Sequence, residues 1–283
     1  MAGPRSLLLA TVLAAVLPAY SAPAPKQLTI VKAAVRQYED GPALGAGFSF
    51  LAGDTVFFSF QIQGYQVSPD AEIDLETQVD ASDPEGTPLM ATARGTIKTP
   101  VSAEDKNWLP IVRETIQVPP LAPPGTYRLR VAVEDKLSKQ AAKADVEFSV
   151  RGRQVERSET LVARNFRFLS AEEDRNALAQ PVYRPGDALW ARFDITGFRY
   201  GPNNRVQVSY SVSVADPSGK TVFSQPQPAV EQDESFYPKR YVPGVFSLQL
   251  DKKVKPGEYT LVLALRDEIG NQAGESRHVF RIE

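Results

Sequence analysis

The chain has 283 residues, 23 of them proline, no cysteine, one histidine and a formal net charge of −2. The missing cysteine excludes disulfide staples, thiol catalysis and thiolate zinc sites. The even charge excludes electrostatic capture of nucleic acid, which needs a basic surface. Core burial alone must hold the protein together, so each folding unit needs enough residues to bury roughly two-thirds of its surface.

In chain order, Arg5, an apolar run over residues 7–17 and the small-x-small triplet Ala19-Tyr20-Ser21 predict an export signal at 1–21. The run is too short for a hydrocarbon core of ~30 Å, so cleavage after Ser21 is expected. Beyond a short Pro-Ala leader, apolar residues alternate with polar ones. This period-2 pattern predicts strands over residues 28–38, 54–64, 72–80, 89–97, 111–118, 125–134 and 143–150. A polar linker at 151–160 follows. A second set is predicted at 161–170, 187–197, 205–215, 220–225, 242–250, 257–266 and 275–282. Residues 170–180 begin with a capping-type sequence and are expected to form an insertion loop with at most a few helical turns.

The two sets are copies. Gly53-Asp54-x-Val56-x-Phe58-x-Phe60-x-Ile62-x-Gly64-Tyr65 returns as Gly186-Asp187-x-Leu189-x-Ala191-x-Phe193-x-Ile195-x-Gly197-Phe198. Asp83-Pro84-x-Gly86 returns as Asp216-Pro217-x-Gly219. Pro124-Gly125-x-Tyr127-x-Leu129-x-Val131-x-Val133-x-Asp135 returns as Pro256-Gly257-x-Tyr259-x-Leu261-x-Leu263-x-Leu265-x-Asp267. So long a period marks a duplicated domain rather than a solenoid unit. One dry and one wet face per strand predicts antiparallel sheets packed face to face. The expected fold is all-β: two tandem immunoglobulin-like sandwiches, at 27–150 and 161–283.

Pro-Gly-x-Tyr-x-Leu, present at Tyr127 and again at Tyr259, resembles the tyrosine corner of immunoglobulin-like and fibronectin-type domains. Asp267-Glu-Ile-Gly270-Asn271 resembles a hairpin of bacterial immunoglobulin-like domains. Val182-Tyr183-Arg184-Pro185-Gly186-Asp187 resembles the opening strand of macroglobulin-type domains. These resemblances imply an exported bacterial protein, periplasmic or extracellular. They specify the fold and leave function open.

Nucleophilic catalysis needs a nucleophile, a base and a group that orients the base. His278 alternates with Phe280 and Ile282, and no nucleophile elbow accompanies it, so it reads as structural. Asp70, Glu72 and Asp74, and the cluster Asp80, Asp83 and Glu85, lack calcium-loop spacing. Asp-Pro-x-Gly is a turn sequence in its own right. No catalytic residue, metal site or cofactor is predicted. The functional lead is aromatic. Phe57 and Trp190 fall on outward positions, Trp108 in a loop, and Phe236, Tyr237 and Tyr241 in a stretch that mixes charge and ring. The favoured expectation is a non-enzymatic binding or scaffold protein with a protein or cell-envelope partner. The alternatives are a carbohydrate-binding module using Trp108 or Trp190 for stacking, and a hydrolase with paired carboxylates.

Overall fold

The computed structural model describes residues 27–283 except 103 and 106; the expected export signal lies outside them. Among the described residues there are seventeen strands and no α-helix. In domain 1 the strands are β1 (Thr29–Arg36), β2 (Ser49–Leu51), β3 (Thr55–Gln63), β4 (Glu72–Ser82), β5 (Ala93–Pro100), β6 (Ile111–Gln117), β7 (Gly125–Asp135) and β8 (Ala141–Arg151). In domain 2 they are β9 (Val162–Leu169), β10 (Val182–Tyr183), β11 (Ala188–Thr196), β12 (Val206–Ala215), β13 (Thr221–Ser224), β14 (Ala229–Asp233), β15 (Val242–Gln249), β16 (Gly257–Asp267) and β17 (Gln272–Ile282).

Each domain is a two-sheet sandwich. Domain 1 pairs a sheet of order β1-β3-β6 with one of order β2-β8-β7-β4-β5. Domain 2 pairs β9-β11-β15 with β10-β17-β16-β12-β13, and β14 also pairs with β12. The inward positions are those set by alternation. Val56, Phe58, Phe60 and Ile62 on β3, and Leu189, Ala191, Phe193 and Ile195 on β11, are all buried. Burying a side chain of this size contributes about 1.5–3 kcal/mol, which substitutes for the absent disulfides.

The duplication is reproduced in local geometry. Tyr127 donates its hydroxyl to the Pro123 carbonyl at 2.7 Å, and Tyr259 to the Lys255 carbonyl at 2.9 Å. Both tyrosine corners are therefore formed. Lys32 (φ 52°) and Asn165 (φ 50°) occupy matching bulges in β1 and β9. Gly64 and Gly197 both take positive φ, and a Cβ on either would lie about 2 Å from a backbone carbonyl oxygen, that of Gln27 or Thr160. Asp135 and Asp267 are fully buried, and each accepts the backbone N–H of a residue just beyond its glycine, Gln66 or Arg199, at 2.8 Å.

The structure departs from the expected strands in two respects, the presence of three short strands and the start of the fifth. Three short strands appear that the pattern did not show. β2 and β10 pair parallel with the last strand of their domain over three and two residues, too few for alternation to register. β14 is polar and joins β12 at the sheet edge. Domain 1's fifth strand begins at Ala93 rather than at residue 89, because Leu89 is core but leads out of a tight turn in which Ser82 bridges Pro88. Residues 170–180 form the expected insertion loop, made of turns and bends.

Candidate interaction surface at the domain junction and the outer ends

The strand β7 runs from the Asp-Pro-x-Gly turn at one end of domain 1 to Asp135 at the other. β16 does the same in domain 2, from the Asp216 turn to Asp267. The end of domain 2 that carries Asp267 meets the end of domain 1 that carries the Asp83 turn. Residues 231–241 make the contact.

Tyr237 leaves its own domain and joins the hydrophobic cluster of domain 1. Its hydroxyl donates to Asp83 Oδ2 at 2.8 Å. The Arg240 guanidinium donates to the same oxygen at 2.6 Å and to Thr87 Oγ1 at 2.6 Å. It also lies 3.4 Å from Glu85, which is paired with Arg157 of the linker. Asp83 Oδ1 accepts the N–H groups of Glu85 and Thr87, which closes the turn. The carboxylate is thus satisfied on both oxygens while only 3% exposed. Burial alone would raise its pKa, but the bonds from Tyr237, the Thr87 N–H and Arg240 outweigh burial and hold it below the usual carboxylate range. Burial raises the Tyr237 phenol well above its ordinary value, so it remains a donor.

The linker is fastened to domain 2. Arg153 pairs with the buried Asp194 at 2.5 Å, and its guanidinium lies 5.2 Å from the centre of the Tyr241 ring. Asn165 donates to the other Asp194 oxygen at 2.8 Å.

The sequence expectation placed Tyr237 and Tyr241 on an outer surface. The structure buries both, at 7% and 6% exposure. Tyr237 faces domain 1 and Tyr241 lies under the linker arginine. Of the three rings in that stretch, Phe236 alone projects, at 56%. Phe57 and Trp190 are half-buried on outward positions of β3 and β11. The 170–180 loop crosses β11 on Trp190's face, since Arg192 donates to the Glu172 carbonyl. Trp108 is the exposed ring at the outer end of domain 1 (40%), where its carbonyl accepts the Tyr65 hydroxyl at 2.6 Å. A groove of about 670 Å³ runs beside it, lined by Tyr65, Gln27, Gln63, Asn107 and Thr29 among others.

The remaining polar candidates are structural. His278 stacks on Phe166 with ring centres 3.4 Å apart, bonds Ser276 Oγ, and has its pKa lowered by burial. Glu114, whose pKa burial raises, points to the inner face of β6 in register with Phe58. An inward acid on an edge strand guards against further pairing. Among the described residues no cluster of three or more histidine or acidic side chains is arranged to hold a metal ion.

What sequence reasoning missed is the junction. Asp83 was visible as a turn residue and Tyr237 and Arg240 as members of a charged aromatic stretch, but nothing local joins positions more than 150 residues apart.

The molecule is thus a tandem immunoglobulin-like protein with a fastened waist. No protein-family model matches the chain, and no curated protein matches it. Among solved structures it is similar to the C-terminal domain of the Streptococcus agalactiae AgI/II polypeptide BspA. That likeness has a TM-score of 0.31 and 10% identity, over 90% of this chain and 99% of the other. It is also similar to the C-terminal domain of the Streptococcus pyogenes antigen I/II-family protein AspA, with a TM-score of 0.32 and 8% identity, over 92% and 99%. At such scores neither likeness supports an inference about function.

Proposed function

We propose that this chain is a non-enzymatic, exported bacterial scaffold that presents two immunoglobulin-like domains, 27–150 and 161–283, to a protein or cell-envelope partner. The observation that carries this reading is the division of its aromatic residues. Tyr237 and Tyr241 are consumed in fastening the domains, whereas Trp108 stays exposed at the outer tip beside a polar groove. A tryptophan offering an apolar face with polar groups around it is the usual form of a binding anchor. The histidine and the one acid raised by burial are absorbed by packing and edge protection, which favours binding over catalysis. Phe236, exposed beside the junction, is the secondary contact.

The test is affinity capture from the native envelope with the parent chain and with Trp108→Ala and Phe236→Ala variants. Retention of every captured partner by the double variant would sink the assignment.

A second reading has its own support. Amides and a hydroxyl from Gln27, Gln63, Asn107 and Thr29 share the groove with Trp108. Such a ring beside amides suits a carbohydrate, stacked on the indole and bonded at its hydroxyls. A glycan array probed with the parent chain and Trp108→Ala decides it. A signal lost in the variant supports sugar binding, and a blank array removes it.

A further inference from the structure

The outer face of the β9-β11-β15 sheet carries a charge arrangement that the fold of domain 2 does not require. Arg167 on β9 lies directly opposite Arg192 on β11. Like charges in that position destabilise a sheet. Arg164 is the next outward residue of β9, opposite Asp194, and all three arginines are half-buried. The Nε atoms of Arg164 and Arg167 are buried without a hydrogen-bond partner. A charged group drawn out of water without such bonds is unfavourable, so two unfavourable features meet at one spot.

The neighbouring acids do not offset it. Asp194 is taken by Arg153 and Asn165, and Glu156 lies 3.5 Å from Arg164. On the 170–180 loop, Asp174 accepts from Ser170 Oγ and the Ala171 N–H, while Glu172, Glu173 and Arg175 are exposed. Arg192 bonds the Glu172 carbonyl, not its carboxylate. Among the described residues no acid forms an ion pair with Arg167 or Arg192. Domain 1 builds the same face without this cluster. Val31, Ala34 and Ser59 hold the positions of Arg164, Arg167 and Arg192, in the same register. The arginines that domain 1 does carry there have partners: Arg36 donates to Ser59 Oγ, and Arg113 lies 4.0 Å from Asp40.

From this we infer that Arg167 and Arg192, with Arg164 beside them, form a binding site for a phosphate oxyanion, either free or borne as a monoester by an envelope component. Two guanidinium charges without a carboxylate partner match a dianion, and guanidinium forks donate in pairs to phosphate oxygens. A single carboxylate would offset only one of them. The site lies between two coverings: the linker, which closes over Asp194, and the start of the 170–180 loop, which Arg192 holds. Trp190 is the preceding outward residue of β11, so its ring lies beside the arginines. The site does not involve Trp108, and either assignment can fail without the other.

The chain has two tryptophans, so Trp108→Phe leaves Trp190 as the only indole and makes its emission a reporter at the site. Inorganic phosphate and, separately, glycerol phosphate are titrated against sodium chloride at matched ionic strength. The expected result is a saturable change in Trp190 emission and a raised melting temperature of domain 2. Arg167→Ala and Arg192→Ser install the residues of domain 1 and should each weaken binding at least about tenfold. Neither should lower the melting temperature in anion-free buffer, because each removes half of a repulsive pair. Arg167→Lys keeps the stem and the charge and should bind with intermediate affinity, which separates a lost anion contact from lost packing. Tighter binding of glycerol phosphate than of inorganic phosphate would mark the site as one for an ester, and equal binding as one for the free anion. No response beyond that to chloride, or a response that survives both Arg167→Ala and Arg192→Ser, overturns the inference.

Discussion

The Asp83 and Asp216 turns share one sequence and one fold but have different fates. In both, Oδ1 of the aspartate accepts the N–H groups two and four residues on. In both, a proline packs under the glycine that opens the next strand, Pro84 beneath Gly125 and Pro217 beneath Gly257. In domain 1, Oδ2 then takes Tyr237 and Arg240 and disappears from solvent. In domain 2 the turn stays at the surface, and the Ser218 hydroxyl adds to the same Oδ1. The lesson is that a turn motif specifies its own hydrogen bonds and nothing beyond them. The residues that distinguish the copies, Glu85 and Thr87 against Ser218 and Lys220, are those that fix whether the turn also serves as a docking point.

The largest effect should come from emptying the occupied turn. Tyr237→Ala removes a buried ring and a bond to a buried carboxylate, and Arg240→Ala leaves that carboxylate short of its charge partner. Each should cost about 3 kcal/mol and lower the melting temperature of domain 1 while sparing domain 2. Asp216→Ala, the matching change, should shift melting very little. Equal losses in the two domains would erase the contrast between the turns.

Acid sharpens the same comparison. The Asp83 carboxyl is depressed in the folded state, so its contribution is fully present above the ordinary value of about 4. It is lost as pH falls through the lower folded value. The junction should therefore open under acid before the domains unfold. Small-angle scattering would register this as a growing radius of gyration, and Asp83→Asn should already be loosened at neutral pH. A junction whose dimensions stay fixed until global unfolding would show that the carboxylate is not what fastens it.

Where the copies are alike, matched substitutions should cost the same. Gly64→Ala and Gly197→Ala each drive a Cβ into a backbone carbonyl at positive φ and should each destabilise their own domain by at least about 2 kcal/mol in denaturant titrations. A markedly cheaper change in one copy would mean that its close approach can relax. Smallest of all, Tyr127→Phe and Tyr259→Phe remove one hydrogen bond apiece and should cost about 1 kcal/mol each.

Much of this was legible in the chain. Alternation gave the buried residues of β3, β7, β11 and β16, because a side-chain period of two has one interpretation wherever one face is dry. Pro-Gly-x-Tyr gave the tyrosine corners, which close within four residues. In the Gly270-Asn271 hairpin only Asn271 takes the left-handed conformation and Gly270 does not, while Lys139 adopts the same geometry in the first copy without a residue type that signals it. The bulge at Lys32 left no such mark in composition.

The candidate site was harder. The sequence points to an aromatic and charged stretch, but it does not give the direction in which each ring faces. Tyr237, Tyr241 and Phe236 lie within six residues of one another, and only contacts with another domain and with the linker separate the buried pair from the exposed ring. By itself the sequence determined two sandwiches, their cores and their turns, since those depend on periodicity and on bonds spanning a few residues. Tertiary structure alone decided which turn is covered, which aromatic rings remain outside and which charged end faces which. Those outcomes depend on contacts between residues distant in the chain, and the free energy of such contacts is set by position in space rather than by local pattern.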